Sequence, residues 1–285
     1  MRYKWLYFGI SLLIILPGLY SLLRYGLRLS IDFTGGSLLE IQATGSANFS
    51  DAAKENNLEL SSVQSAGENT YLLRFKPLTQ AQNDAFKKSL GHVTEKRFET
   101  VGPTIGTELT RKAIISVLLA SLFIILYIAW SFRNIPKPYA SWKFGVSAVA
   151  ALLHDAFVVL GLFSLFGHFY HVEIDSLFVT ALLTVIGFSV HDTIVVFDRI
   201  RENLPKLPKS TFTQVVDFSL TETLVRSLNT SLTVTLTLVA LLLFGGETIR
   251  WFVVALLIGI VSGTYSSIFN AAPLLVLWEE TKTAK

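Results

Sequence analysis

The stretch that decides the fold is SLFVTALLTVIGFSVHDTIVVFDRIRENL, from Ser176 to Leu204. Its residues 177–197 are mostly apolar or small, and they are long enough for a helix that crosses the hydrocarbon core of a bilayer, about 30 Å thick. Asp192 interrupts this run, directly after His191 and one helical turn after Ser189. An ionisable carboxyl inside a bilayer costs about 2.5–3.5 kcal/mol on insertion scales, so Asp192 is a functional-site hypothesis by default.

The composition of the whole chain also indicates a membrane protein. Of its 285 residues, 51% are hydrophobic and only 16% are charged, and the mean hydropathy is +0.52. Soluble domains carry about 25% charged residues, so this balance favours a polytopic membrane protein. The chain has no cysteine, which excludes disulfides, thiolate metal sites and cysteine nucleophiles. It also lacks a Gly-rich phosphate loop and a metal-binding His spacing, so we expect no metal site and no enzymatic activity.

Five further apolar stretches have the length of membrane spans. The first covers residues 5–23 and is interpreted as an uncleaved anchor, because it is long for a signal peptide and no small-x-small cleavage site follows it. The others are expected at about 112–132, 144–166, 227–244 and 251–278. Lysine and arginine concentrate before the first span and after the second, fourth and sixth. The positive-inside rule then places both termini in the cytoplasm, for a multi-pass protein of the cell (plasma or inner) membrane.

The polar residues 24–111 predict a small extracytoplasmic domain between the first two spans. Strands are expected at 37–43, 61–64, 70–76 and 94–101, and helices at 51–56 and about 79–90. Thr79 and Gln82 fit a capping box at the start of the second helix, and Gly91 would end that helix. The order βαββαβ is that of a ferredoxin-like α+β fold. The predicted parts are therefore the N-terminus with the first span (1–23), this domain (24–111) and five further spans (112–285).

Polar residues in the fourth and fifth spans predict an ion-coupling site. Asp192 lies about 9 Å inside the fourth span, counted from the charged exit at Asp198. Arg226 lies at a comparable depth in the fifth span and is the nearest credible counter-ion for Asp192. In the sixth span, Gly259 and Gly263 form a GxxxG pair that lets helices approach closely. A polar series starts at Arg226 and continues at the helical period with Thr230, Thr233 and Thr237.

Each of these features also has a purely structural explanation. Asp192 and Arg226 can be a static buried pair, or Arg226 can snorkel to the interface as a topology signal. The threonine hydroxyls can bond to their own helix. His154 and Asp155 repeat the His-Asp pair in the third span, where a protonated, hydrogen-bonded core group at Asp155 is the simpler interpretation.

Four stretches resemble the SecF family, the accessory subunits of the bacterial Sec protein-export translocase within the RND superfamily. Their joint occurrence in this order extends over nearly the whole chain and is far more specific than any one of them. They are IDFTGG (31–36), VGPTIGTEL (101–109), VIGFSVHDTIVVFDRIREN (185–203) and VRSLNTSLT (225–233).

The resemblance implies a subunit that uses the proton motive force, with SecD, to help move preproteins through the SecYEG channel. YajC, the translocating preprotein and the lipid bilayer are the other implied partners, with no nucleic acid and no cofactor besides the transported H⁺. The family's coupling carboxylate and arginine match Asp192 and Arg226. Two positions depart: His191 and Ser227 stand where the family commonly has Asn and Thr. His191 can add a second titrating group, which leaves the proton specificity open. Coupling to Na⁺ instead of H⁺ is a further open alternative.

The predicted proton-coupling residues are thus Asp192, Arg226 and His191. Two other functional classes remain: one half of an RND-type exporter of small molecules or lipids, and a membrane scaffold without transport activity. Six spans with one modest external domain amount to half of such an exporter. The secondary intramembrane polar residues are Asp155, His154, Ser189, Thr230 and Thr233.

Overall fold

The computed structural model describes residues 1, 3–43, 48–65, 69–136 and 139–283. Within them, six helices are long and apolar enough to cross a membrane, which confirms the predicted class. The chain forms two compact units, Met1–Arg28 with Ser116–Lys285 and Leu29–Ile115. The helices are α1 (Lys4–Tyr25), α2 (Ile31–Thr34), α3 (Phe49–Glu55), α4 (Gln80–Leu90), α5 (Pro103–Ser131), α6 (Ser141–Tyr170), α7 (Ser176–Lys206), α8 (Phe212–Phe244), α9 (Arg250–Ser266) and α10 (Ala272–Thr283). The strands are β1 (Gly36–Ala43), β2 (Leu60–Ser65), β3 (Thr70–Phe75) and β4 (Val93–Val101).

The smaller unit has the ferredoxin-like fold that the sequence predicts. Its strands form one antiparallel sheet in the order β2-β3-β1-β4, with α3 between β1 and β2 and α4 between β3 and β4. Alternate residues of β1 point to the core, where Leu39 and Ile41 are fully buried. Phe49 of α3 and Phe86 of α4 belong to the same core, so both helices pack on the sheet through apolar side chains.

Two glycines shape the turn that leads into β1. Gly35 and Gly36 have φ values of +71° and +126°, which residues with a side chain rarely adopt. Gly35 lies against the backbone of Pro103. A Cβ added to Gly35 would be 2.9 Å from the Cα of Pro103, too close for a side chain. A Cβ added to Gly106 would be 2.8 Å from the backbone nitrogen of Gly35 and 3.0 Å from the carbonyl oxygen of Phe33. The motifs IDFTGG and VGPTIGTEL therefore meet in one contact that requires small residues.

A charged cluster joins α4 to β4 in the same unit. The helix begins with the predicted capping box, in which Gln82 Oε1 accepts from the backbone N–H of Thr79 at 2.9 Å. Lys87 Nζ lies 2.5 Å from Glu95 and 3.0 Å from Asp84. The hydrogen bond from Lys87 lowers the pKa of Glu95, and the same bond raises the pKa of Lys87.

The larger unit is a helical bundle in which α6, α7 and α9 contact one another. α1 packs on α6, and α8 packs on α7 and α9. Gly18 of α1 faces Gly161 of α6, where a Cβ on either residue would lie 2.9 or 2.7 Å from the other's Cα. Gly259 of α9 lies against the side chain of Val185 in α7. These glycines allow the close approach of helices that the predicted GxxxG pair implies.

The helices differ from the expected spans mainly at their ends. α7 continues past residue 197 to Lys206, and α8 begins at Phe212 instead of 227. Arg199 of α7 pairs with Glu222 of α8 at 2.8 Å, so contacts between charged side chains stabilise the helices beyond their apolar parts. The last expected span, 251–278, is one continuous helical stretch, in which a π-helical segment of five residues, 267–271, lies between α9 and α10. Apolar patterning marks the membrane-crossing part of a helix, whereas hydrogen bonding and ion pairs determine where the helix ends.

Candidate functional site

Asp192 lies on the buried face of α7, and only 3% of the residue is exposed. Its Oδ2 accepts from the hydroxyls of Ser231 in α8 at 3.4 Å and Thr264 in α9 at 3.3 Å. These two hydroxyl oxygens lie 2.5 Å apart. We call the three residues the Asp192 cluster. The carboxyl is about 21 Å from the end of α7 at Lys206, and about 9 Å from Asp198, where the charged part of the helix begins.

The structure corrects the predicted polar face of α8. Thr230 and Thr233 are exposed, and each hydroxyl donates to a carbonyl of its own helix, as does that of Thr237. Thr230 and Thr233 therefore lie outside the site. Neighbouring residues of a helix differ by about 100°, so two adjacent stripes can both follow the helical period while only one faces the bundle. The stripe that does so consists of Ser219, Thr223, Ser227 and Ser231.

The structure also corrects the pairing of Asp192 with Arg226. Arg226 is exposed and lines an open pocket of about 280 Å³ near Glu222 and Arg199. Asp192 meets α8 at Ser231, so Arg226 lies about 7.5 Å nearer the start of the helix and about 140° around its axis. Among the residues that the structure describes, no lysine or arginine forms an ion pair with Asp192.

His191 is exposed on another side of α7 from Asp192. It shares that side with Gly187, Thr184 and Thr180, which are exposed as well. A stripe of small and polar residues thus follows this side of α7, and this chain leaves it uncovered.

A second carboxylate, that of Asp155 in α6, is 1% exposed and accepts three short hydrogen bonds. Ser189 of α7 and Ser266 of α9 donate to Oδ2 at 2.5 and 2.6 Å, and Ser262 of α9 donates to Oδ1 at 2.7 Å. His154 Nδ1 lies 2.9 Å from Oδ1. We call these five residues the Asp155 cluster. The predicted secondary residues His154, Asp155 and Ser189 are therefore in direct contact.

The two clusters share helices α7 and α9. Thr264 of α9 is about 200° around the helix axis from both Ser262 and Ser266, so α9 passes between the two carboxylates. On α7, Ser189 and Asp192 are one turn apart. Thr193 and Ser267 link the same helices through hydroxyls 2.9 Å apart. A charge change at either carboxyl thus acts on helices that also hold the other.

Four hydroxyl residues of these clusters were not predicted: Ser231, Ser262, Thr264 and Ser266. The sequence does contain a signal for some of them, because Ser262 and Ser266 are one helical turn apart, and Ser231 ends a stripe with a spacing of four. In the described parts of the chain, no three His, Asp or Glu side chains are grouped so that they could hold a metal ion. The chemistry that these residues offer is proton exchange at carboxyl and imidazole groups.

A family model for the C-terminal part of the protein export membrane proteins SecD and SecF matches residues 81–281, and a model of the SecD/SecF GG motif matches residues 20–47. The chain belongs to the SecD/SecF family. The protein translocase subunit SecF of Thermobaculum terrenum is 47% identical to it, over 98% of this chain and 93% of that protein. The adjacent glycines in the SecD/SecF GG motif are Gly35 and Gly36, whose turn is described above.

Relatives in the SecD/SecF family include longer proteins. The protein translocase subunit SecDF of Bacillus subtilis is 35% identical over 98% of this chain but only 38% of its own length. The crystal structure of SecDF from Thermus thermophilus, a translocon-associated membrane protein, matches with a TM-score of 0.83 and 33% identity. A super-membrane-facing form of SecDF matches with a TM-score of 0.72 and 32% identity. The chain covers 38% and 39% of these two structures, and they cover 98% and 100% of the chain.

Proposed function

We propose that this chain is a non-enzymatic subunit of a protein-export translocase, which uses the proton motive force together with SecD to move preproteins through the SecYEG channel. The observation that carries the proposal is the Asp192 cluster, in which a buried carboxyl midway along α7 accepts hydrogen bonds, among the described residues, only from hydroxyl groups. Burial of an unpaired carboxylate in a membrane is costly, and a proton removes that cost. Asp192 is therefore suited to take up and release H⁺.

In this proposal, uptake of a proton from the outer side neutralises Asp192, and release toward the cytoplasm restores its charge. Ser231 and Thr264 bond to that carboxyl, so the change of charge acts directly on the packing of α7, α8 and α9. One charge that crosses the membrane potential is worth about 2.3 kcal/mol per 100 mV, enough to bias a two-state element by tens-fold. Arg226 and His191 lie outside the Asp192 cluster in this structure. For Arg226 to pair with Asp192, α7 and α8 must take another arrangement.

Uncovered surface within the membrane supports SecD as the partner. Only 6% of the most apolar part of α5 is buried in this chain, compared with 50% of the most apolar part of α7. The exposed polar stripe that includes Thr184 and His191 is also better covered by protein than by lipid. SecDF relatives contain a chain of this kind within a longer polypeptide, which supports a complex of two halves. SecYEG and YajC are the further proposed partners in the cell membrane, and the ferredoxin-like domain is the proposed preprotein-contacting part on the outer side.

The test is Asp192→Asn, which keeps the size of the side chain and removes its charge. We expect the variant to assemble with SecD but to lose export that depends on the proton motive force. Asp217→Asn, at an exposed position of α8 outside the two clusters, is the matched control and keeps full export. Normal export in Asp192→Asn would sink the proposal, and a loss of drug or lipid efflux without an export defect would favour the exporter. Repeating the assay with a Na⁺ gradient in place of the H⁺ gradient identifies the coupling ion.

A further inference from the structure

Hydrogen-bond donors surround the carboxylate of Asp155. The residue lies about 21 Å from the start of α6, near the middle of the helix. Both carboxylate oxygens accept hydrogen bonds, two at Oδ2 from Ser189 and Ser266 and one at Oδ1 from Ser262. Hydroxyl donors directed at both oxygens stabilise the ionised form of a carboxyl group.

His154 adds a fourth donor to this carboxylate and leaves a free base. Its Nδ1 lies 2.9 Å from Asp155 Oδ1, and 10% of the side chain is exposed. An ionised carboxylate accepts only, so Nδ1 carries the proton in the neutral imidazole. Nε2 is then an acceptor, and it is buried without a hydrogen-bond partner among the described residues. A proton on Nε2 therefore turns one buried negative charge into a neutral imidazolium–carboxylate pair.

The neighbouring helices offer no competing cation in the described residues. From α9, the ring of Tyr265 stacks at 6.4 Å from that of His154, and its hydroxyl donates to the backbone carbonyl of Tyr7 in α1. From α7, the nearest acidic group in sequence is Asp192, one turn beyond Ser189. The described contacts of the pair are thus the ring of Tyr265 and three serine hydroxyls, with no lysine or arginine bonded to Asp155.

The oxygen spacing favours a proton over a metal cation at this position. The serine and carboxylate oxygens are 2.5–2.7 Å apart, in direct hydrogen bonds. Oxygens that share a cation at about 2.3–2.6 Å are separated from each other by about 3 Å or more. The cluster is therefore closed around its own hydrogen bonds.

We propose that His154 and Asp155 form a second proton-binding site, in which imidazole Nε2 is the exchanging base and the serine-held carboxylate is its counter-ion. The Nε2 lone pair takes one H⁺ and forms an N–H bond, while Nδ1 keeps its proton and its bond to Asp155. Ser189, Ser262 and Ser266 are positioning residues. The proposal deepens the proton-driven function proposed above and rests on it for a role in export, because α7 and α9 hold both clusters.

The experiment is ¹⁵N NMR of histidine-labelled full-length protein in lipid nanodiscs during a pH titration, with His154→Gln to assign the His154 signals. In the wild type we expect the Nδ1-protonated tautomer of His154, followed by conversion to the imidazolium as the pH falls. Asp155→Asn should lose this tautomer preference, whereas His92→Gln, at an exposed position of the smaller unit, should leave the His154 signals unchanged. An Nε2-protonated tautomer, or a His154 that stays neutral at every pH at which the protein is folded, would overturn the proposal.

A second pair of variants keeps the test decisive if Asp155→Asn does not fold. Ser262→Ala retains the carboxylate and removes one donor, so it should change the proton-binding constant of His154 by about tenfold, the scale of one hydrogen bond to a charged group. Ser147→Ala is the matched control, since Ser147 is buried on the same helix as His154 and its hydroxyl has no partner among the described residues. Equal behaviour of these two variants would contradict the assignment. The NMR readout does not depend on transport, so a failure of the function proposed for Asp192 is seen separately, in the export assay.

Discussion

Asp192 and Asp155 are both buried near the middle of a membrane helix, but their hydrogen bonds differ in length. Asp192 accepts two bonds of 3.3 and 3.4 Å, whereas Asp155 accepts three of 2.5–2.7 Å. Hydrogen bonds weaken as they lengthen, so Asp192 is the less tightly held carboxyl. This contrast fits a carboxyl that itself exchanges a proton and another that serves as a fixed counter-ion.

The two faces of α8 provide a matched pair of variants. Ser231→Val removes a donor from the buried carboxyl of Asp192, and we expect it to lower the free energy of unfolding by about 1–3 kcal/mol. Thr230→Val, one residue earlier and exposed, should change that energy by less than about 0.5 kcal/mol. Thermal unfolding of the purified protein in one detergent measures both. A larger effect at Thr230 would mean that the predicted stripe faces the bundle after all.

For a single site such as Asp192, the sequence predicts which residue carries the carboxyl group but not which residues surround it. Asp192 is conspicuous because a carboxyl interrupts an apolar run. Its partners on α8 are not, because Ser231 and Thr230 lie on adjacent stripes with the same period. The rotation of a helix about its axis is set by packing with its neighbours, and for α8 no local pattern in the sequence decides between the two stripes.

Among the elements, the contact between α1 and α6 allows a test on a single helix. Gly18→Val places a side chain against the backbone of Gly161, so the two helices must separate, at an expected cost of about 1–3 kcal/mol of unfolding free energy. Gly9→Val on the same helix meets no atom within 4 Å and is the control for helix propensity. Thermal unfolding should separate the variants clearly, and similar melting temperatures would show that this contact is not needed.

The charged cluster between α4 and β4 gives a pH prediction for the smaller unit. The folded-state pKa of Glu95 is lowered by the bond from Lys87, so its stabilising effect is present above the ordinary glutamate pKa and is lost as the pH falls through the lowered value. The pair is partly exposed, so we expect less than about 1 kcal/mol. The protection factors of the β4 amides, which are exchange rates corrected for the intrinsic rate at the same pH, should fall at acidic pH in the wild type.

Glu95→Gln is the variant that isolates this effect, because it cannot titrate. It should remove most of the loss of protection between neutral and acidic pH, whereas Glu55→Gln, at an exposed position of α3, should keep the wild-type profile. An unchanged pH profile in Glu95→Gln would assign the effect to another group.

The elements themselves were largely predictable, for reasons that are local. The start of α4 is marked by Thr79 and Gln82 and its end by Gly91, and both helix caps form as expected. The π-helical segment that begins at Ser267 was not predicted. The sequence does hold a local signal for it, because Pro273, two residues beyond the segment, has no N–H to donate to the carbonyl of Phe269 within it.

For the whole molecule, the number of spans and the family follow from the sequence, because hydrophobic length and several separate motifs agree. The orientation in the membrane is still a prediction from charge. The absence of cysteine makes it testable with single-cysteine variants at exposed positions. His92→Cys in the smaller unit should react with an impermeant maleimide in intact cells, and Lys209→Cys, between α7 and α8, only in inverted vesicles. The opposite labelling would reverse the topology.

The π-helical segment has a consequence for the phase of the last membrane helix. It contributes one residue more per turn than an α-helix, so the side chains of α10 are offset by about 100° from the positions that an uninterrupted α9 would give them. The same continuous helix can therefore present hydroxyls to α6 and α7 along residues 262–267 and an apolar face, with Leu275 and Val276 fully buried, beyond the segment. Asn270, within the offset, accepts from Ser11 of α1 at 2.9 Å. One helix thus satisfies two sets of neighbours whose angular requirements a regular α-helix cannot meet together.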